Sequence, residues 1–403
     1  MKISQLNKIN KYLFGGVFLL LLFHFESISI GLVKISHLWK GVLLVFLLIK
    51  IINRKKNQFS IYPPLIWLAI LQLINVELVN NSFNAILLFG TTLILPLLGI
   101  YVLRFTPKQL ENGLLFFASF FILSFVPYEL GILNSLGKHY TLTSYGVDQS
   151  GIVGPFQGVH SASVALAGSF LVILFFWFEK KINRYYLSIL LILGFYFLIN
   201  TYVRTGMLMV IVGSIPMLIY FAKKSATMRV RLILIGGLFS VLISGWVLSN
   251  ETLMDRITGK RINSIETDSF ENLGSGRGLI YIYSIEIFIE ANPFEKIIGI
   301  GQTEEKKRME QKLGSAIIPH NGFLLILLNN GLIGLILFLY FVRELLKKTR
   351  QFHPNERSLV KGLIYAYLIM TFFQNYDILY MYLVLILGFT YARSLTSKKS
   401  ILT

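Results

Sequence analysis

The chain contains no cysteine, which excludes disulfides, thiolate metal sites and a cysteine nucleophile from the outset. Charge is scarce as well: only 14% of the 403 residues are Asp, Glu, Lys or Arg, well below what a soluble domain carries. There is no Gly-rich phosphate loop, no His-Glu-x-x-His pair, and no Asp-x-Asp pair suited to a divalent ion and a nucleotide sugar. A serine nucleophile elbow is also missing. Any chemistry here must be done by arginine, histidine and hydrogen bonds, with no cofactor and no metal site implied.

What is present is apolar: 55% hydrophobic residues and a mean hydropathy of +0.66. That balance belongs to a polytopic membrane protein. Apolar windows of about 18 residues predict roughly twelve spans, at 12–30, 38–52, 63–79, 83–103, 112–130, 160–178, 185–203, 206–222, 232–249, 321–342, 358–376 and 378–393. The expected fold is all-α, about 12 transmembrane helices, with one large extracytoplasmic loop between helices 9 and 10. It divides into a bundle of nine helices at 1–249, the loop at 250–319, and three last helices at 320–403. The first span is long and Leu/Phe-rich without a small-x-small site, so it reads as a span and not as a cleaved signal. Pro96, Pro127 and Pro216 fall inside spans and are expected to kink them.

A net charge of +18 would suggest nucleic acid in a soluble protein, but its distribution points elsewhere. With the N-terminus inside, the seven inner segments hold 25 of the 38 Lys and Arg. The short outer connections hold only Lys34, Lys40, Lys138 and Arg204, and the long outer loop holds the rest. This is the positive-inside bias, with anionic membrane lipid as the partner and no nucleic acid.

Two outer segments are long enough to carry chemistry. Gly131 to His160 is rich in Gly, Ser, Thr and Tyr. The 250–319 loop contains an apolar stretch, Gly278 to Ala291, too short to cross and stopped by Asn292-Pro293. It is expected to lie along the surface or on the bundle. Ile298-Gly299-Ile300-Gly301 reads as a flexible turn, and Thr303 to Leu313 as a solvated, charged helix with Glu304 and Arg308 paired. The loop ends in Pro319-His320-Asn321-Gly322 and opens straight into a span, an unusual place for an ionisable group.

Arg277 stands at the mouth of the apolar stretch, where helix N–H groups and a guanidinium fork suit a phosphate; pairing with Glu271 or Glu266 is the equal alternative. Arg204 joins two spans with almost no loop, a position that costs about 2–3 kcal/mol unless the charge is paired or solvated. It is either an anion ligand or a snorkelling anchor. Glu26, Glu77 and Glu129 lie near the outer ends of the first, third and fifth spans, and Asp377 lies in the last outer turn. Together they are expected to rim an outward polar cavity that hydrogen-bonds a hydrophilic substrate. Asn321 either holds the His320 ring or caps the tenth span.

The ordered set Ser275-Gly276-Arg277, Asn292-Pro293-Phe294, Gly299-Ile300-Gly301 and His320-Asn321-Gly322, followed by Leu325, Leu328, Gly331 and Gly334, resembles the bacterial O-antigen ligase and O-antigen polymerase superfamily. Arg204-Thr205-Gly206 and Gly154-Pro155-Phe156 fit the same pattern; the first hundred residues match in hydropathy alone. His160 departs from it, since many relatives carry asparagine there, so its place among the substrate-binding residues is not carried over by motif. The resemblance implies a glycosyltransferase of the bacterial cytoplasmic (inner) membrane with its site on the periplasmic side. It implies an undecaprenyl-pyrophosphate-linked glycan as donor, a sugar hydroxyl as acceptor, no metal, and room for a chain-length regulator as partner. Arg204 and Arg277 would bind the pyrophosphate, and His320 would deprotonate the acceptor for inverting attack. Polymerase is the first reading, since polymerases are the more varied members, and ligation of the finished glycan to lipid A core the second. A polysaccharide or lipid transporter is the competing class; it calls for repeats, interrupted helices and midplane charges, which the spans do not display.

Overall fold

The computed structural model describes residues 29–30, 33–52, 61–75, 77–134, 140–142, 147–149, 151–156, 158–180, 182–227, 229–230, 277–314, 316–375 and 378–399. The expected spans at 12–30 (up to residue 28) and 232–249, together with Glu26, Asp377 and loop residues 250–276, lie outside them.

The described chain is helical apart from two short antiparallel ladders, β1 (Ser29–Ile30) with β2 (Val33–Lys34) and β3 (Tyr140–Leu142) with β4 (Val147–Gln149). The helices are α1 (Ile35–Ile52), α2 (Pro63–Ile74), α3 (Glu77–Asn80), α4 (Ser82–Val102), α5 (Pro107–Leu123), α6 (Val126–Glu129), α7 (Val159–Glu179), α8 (Arg184–Asn200), α9 (Arg204–Lys224), α10 (Arg277–Glu290), α11 (Pro293–Ile298), α12 (Gln302–Leu313), α13 (Gly322–Thr349), α14 (Pro354–Phe373) and α15 (Leu379–Lys399). Each of the ten expected spans within the described residues falls on helix, 63–79 and 112–130 each on two helices. Six are long and apolar enough to cross a membrane: α4, α5 continued through α6, α7, α9, α13 and α15 up to Thr396. This is a multi-pass membrane protein. Pro96 and Pro216 sit inside α4 and α9, whereas Pro127 opens the first turn of α6, where its missing N–H costs no helical bond.

With lipid outside, helices associate through close packing of small residues and not through hydrophobic expulsion alone. Gly206 of α9 lies on Ser163 of α7 and Gly213 lies on Leu171, so the two helices run parallel. Gly213 also meets the backbone of Gly362 in α14. The aromatic layer of Phe121, Phe125, Phe156, Phe197 and Tyr380 then ties α5, α8 and α15 to the 151–156 segment.

The tenth expected span is not a continuous helix. At Gly331 the backbone takes φ 63 and ψ −166, which interrupts α13 after Asn330. Breaking a helix at membrane depth strands carbonyls that lipid cannot satisfy. Here Ile300 N–H donates to the Leu328 carbonyl at 2.7 Å and Asn75 Nδ2 donates to the Asn329 carbonyl at 2.9 Å. Gly299, at φ 95, lies against the Asn329–Asn330 peptide, and a Cβ on Gly331 would run into the Ile297 carbonyl. The Gly299-Ile300-Gly301 element, expected as a flexible turn, is thus a packed junction, since both glycines press backbone on backbone.

The unit from α10 to α12 has its own core. Ile280 and Ile287 of α10, Ile300 and Met309 close over Leu328 of α13. The apolar stretch therefore packs on the bundle, one of the two placements expected of it. Helix α12 is not wholly solvated either: Glu304 pairs with Arg308 at 2.9 Å on its outer face, but Glu305 and Met309 are fully buried.

Candidate active site

Four helices begin at one end of the molecule. His160 is the second residue of α7, Arg204 the first of α9, and Arg277 the first of α10; His320 stands two residues ahead of α13. Contacts link these starts pairwise. The His160 and His320 rings lie 6.2 Å apart, centre to centre, with planes 28° apart. The Tyr281 hydroxyl, one turn after Arg277, donates to the His320 carbonyl at 3.1 Å. Gly206, two residues after Arg204, sits on Ser163, one turn after His160. Gln374, just past the end of α14, places its Nε2 3.2 Å from His160 Nδ1. Each helix start adds the positive end of its dipole. They converge with the positions of two arginines and with two imidazoles at the same end.

Local sequence explains each placement. Asn321 is the N-cap of α13: its Oδ1 accepts from Phe323 N–H at 3.0 Å and Leu324 N–H at 3.1 Å. Of the two roles open to Asn321, its side-chain oxygen serves the cap, and the capped turn fixes the backbone from which His320 projects. His320 is exposed, as are His160 and Arg204. Ahead of Arg204, Tyr202 takes φ 54, a left-handed conformation uncommon outside glycine, and Thr201 Oγ1 accepts from Val203 N–H at 3.3 Å. The 151–156 segment locks this turn, with Ile152 N–H donating to the Asn200 carbonyl at 2.8 Å. The outer segment flagged in the sequence thus braces the turn that presents Arg204. For Arg277 the structure describes the backbone position alone.

The acidic residues separate. Glu77 is fully buried and committed: its carboxylate accepts from Thr303 N–H at 2.8 Å, Thr303 Oγ1 at 2.6 Å and Asn84 Nδ2. It caps α12, whose own N-cap is Gly301 and has no side chain to offer. Glu77 is therefore not turned to a cavity beside the histidines. Glu129 is exposed and accepts from the Tyr196 hydroxyl at 2.5 Å, one turn before the α8–α9 turn that leads to Arg204.

Three residues of interest escaped the sequence reading. Gln374 and Tyr281 pair with their histidines across 214 and 39 residues. Glu305 is buried with neither carboxylate oxygen hydrogen-bonded, and the side-chain oxygens of Asn329, Asn330 and Gln72 are also buried without partners. Burial pushes the Glu305 carboxyl up to about 8; Glu77 adds to the rise, while the Asn329 amide and the Lys306 ammonium oppose it. A faint signal existed: Glu305 and Met309 are four apart, which puts them on one face of the helix. Among the described residues no group of three or more His, Asp or Glu is arranged to hold a metal ion.

Residues 189–339 match the family model described as O-antigen ligase. That stretch contains Arg204, Arg277 and His320, whereas His160 and Gln374 fall outside it. No curated protein matches the chain.

Proposed function

We propose, for a chain whose residues 189–339 match the family described as O-antigen ligase, a glycosyl transfer from a lipid-linked donor at the extracytoplasmic face of the bacterial inner membrane. The donor is a glycan on undecaprenyl pyrophosphate and the acceptor a sugar hydroxyl. The full chain crosses the membrane twelve times, the outer unit lying between the ninth and tenth spans. The observation that carries this reading is the meeting of four helix starts around the His160–His320 pair.

The geometry suits a reaction in which a diphosphate must be held while it departs with the bonding electrons. Arg204 and Arg277, with the N–H groups of the helix starts, bind the diphosphate and stabilise the charge that grows on the leaving oxygen. His320 takes the acceptor proton as the acceptor oxygen attacks the anomeric carbon from the face opposite the phosphate, inverting it. The capped turn at Asn321 and the Tyr281 hydroxyl hold the His320 backbone in place for that step. The polyprenyl tail lies along the apolar bundle.

Polymerisation of repeat units on the carrier is the reading we adopt. Ligation to lipid A core is the second, favoured by the description of the matching family. Transport is disfavoured although α13 is interrupted, because the break is tied off by Ile300 and Asn75 instead of lining an ionisable midplane site. The test is single replacement of His320, Arg204 and Arg277 by alanine, reading glycan length on the lipid carrier. Loss of His320 should cost roughly a hundredfold or more in rate, and of either arginine about a hundredfold. Collapse of the ladder to single repeats supports polymerase; intact carrier-linked polymer without transfer to core supports ligase. Full-length, transferred polymer from all three variants refutes the assignment.

A further inference from the structure

We propose that His160 is the positioning residue that carries the acceptor's proton away from His320; the proposal rests on the transferase reading above. In the transfer, the acceptor oxygen bonds to the anomeric carbon, the carbon–phosphate oxygen bond breaks, and the diphosphate leaves with that electron pair. The acceptor proton ends on His320, and the imidazolium must shed it before the next turnover. His320 is exposed, so solvent is one exit; the titratable ring of His160 beside it offers a second. Arg204 and Arg277 at the neighbouring helix starts are permanently charged and accept no proton, and Tyr281 is engaged with the His320 carbonyl.

His160 is placed for that task. Its ring stacks beside that of His320, 6.2 Å between centres with the planes 28° apart, close enough for a bridging water to relay a proton between them. It is exposed, so a proton it receives reaches bulk solvent. Gln374, 3.2 Å from His160 Nδ1, suits either protonation state. Its amide donates through Nε2 when Nδ1 is bare and accepts through Oε1 when Nδ1 carries a proton. A purely structural residue in this position would need neither a titratable ring nor a partner that works both ways. An asparagine or glutamine at 160 would keep the hydrogen bond to Gln374 but could not take a proton.

The test uses the detergent-solubilised full-length chain supplied with lipid-linked glycan extracted from its own host membranes. His160→Asn and His160→Gln should lower turnover by about tenfold, less than loss of the group that meets the reacting proton, with the KM for donor unchanged. Adding imidazole buffer should restore turnover in these variants in proportion to its concentration and leave the wild type unmoved. Gln374→Leu should show the same pattern more weakly. Turnover in both His160 variants equal to wild type, or a deficit that imidazole does not relieve, overturns the proposal. His320→Gln separates the two levels. If it is inactive while the His160 variants are normal, His160 alone is misassigned; if it is fully active, the transferase reading falls with it.

Discussion

Replacing Glu305 with glutamine should make the protein more stable as the medium becomes alkaline. The carboxyl is fully buried in α12 with neither oxygen hydrogen-bonded, and burial lifts it from the ordinary 4.5 to about 8. For an acid whose folded-state value is raised, the folded protein holds the proton more tightly than the unfolded chain. The stabilisation is therefore complete below pH 4.5, is lost progressively as pH climbs towards 8, and stays lost above it. At 1.36 kcal/mol for each unit, the loss reaches about 3 kcal/mol at pH 7 and about 5 kcal/mol by pH 9. Glutamine is nearly the same shape, never ionises, and brings an N–H₂ group close to the unpartnered oxygen of Asn329. The assay is thermal unfolding of the detergent-solubilised protein between pH 5 and pH 9, followed by its four tryptophans. Wild type and Glu305→Gln should melt together at pH 5 and separate by several degrees at pH 9, the variant higher. Parallel curves, or a variant that melts lower at pH 9, would refute the reasoning.

Gly331→Ala should destabilise by about 3 kcal/mol or more, because a Cβ at φ 63 meets the Ile297 carbonyl; the measurement is the same melt at pH 6. Asn321→Ala should cost about 1 kcal/mol through loss of the cap while Asn321→Asp keeps it; matching losses in both variants would show that Asn321 serves the His320 ring instead. Glu77→Ala should lower the melting temperature through the uncapped α12 yet leave glycan length on the carrier unchanged. A shortened ladder at full stability would return Glu77 to the substrate.

Much of the architecture is legible because a bilayer allows few solutions: apolar windows predict helices at ten of the expected spans, with boundaries several residues off at α2 and α13, while the described end of the 12–30 window, Ser29–Ile30, is a strand. His320, Arg204 and Arg277 stood out because ionisable groups at span ends are costly, and because short ordered motifs surround them. What hydropathy could not reveal was pairing at long range. Glu77 meets Thr303 across 226 residues, and nothing near Glu77 announces a helix start that lacks its own cap. The break at Gly331 was hidden because Leu-Asn-Asn-Gly-Leu-Ile-Gly reads as a slightly polar piece of an otherwise apolar span. Glu305 reads as a solvated charge because charged residues flank it on both sides, and a one-residue stripe is too narrow for periodicity to register.

The interruption of α13 also bears on how the chain is made. Gly322 to Asn330 rises only about 13 Å, less than half the thickness of the hydrocarbon layer. The first half of that segment is thus anchored at its lower end by an amide from Ile300 and a side chain from Asn75, the one just ahead of it in the chain and the other far upstream. During synthesis both anchors leave the ribosome before the segment they hold. The 293–314 portion acts as a template on which the helix that follows His320 is completed, so a cut or insertion near residue 300 should unseat a membrane segment and not merely trim an appendage.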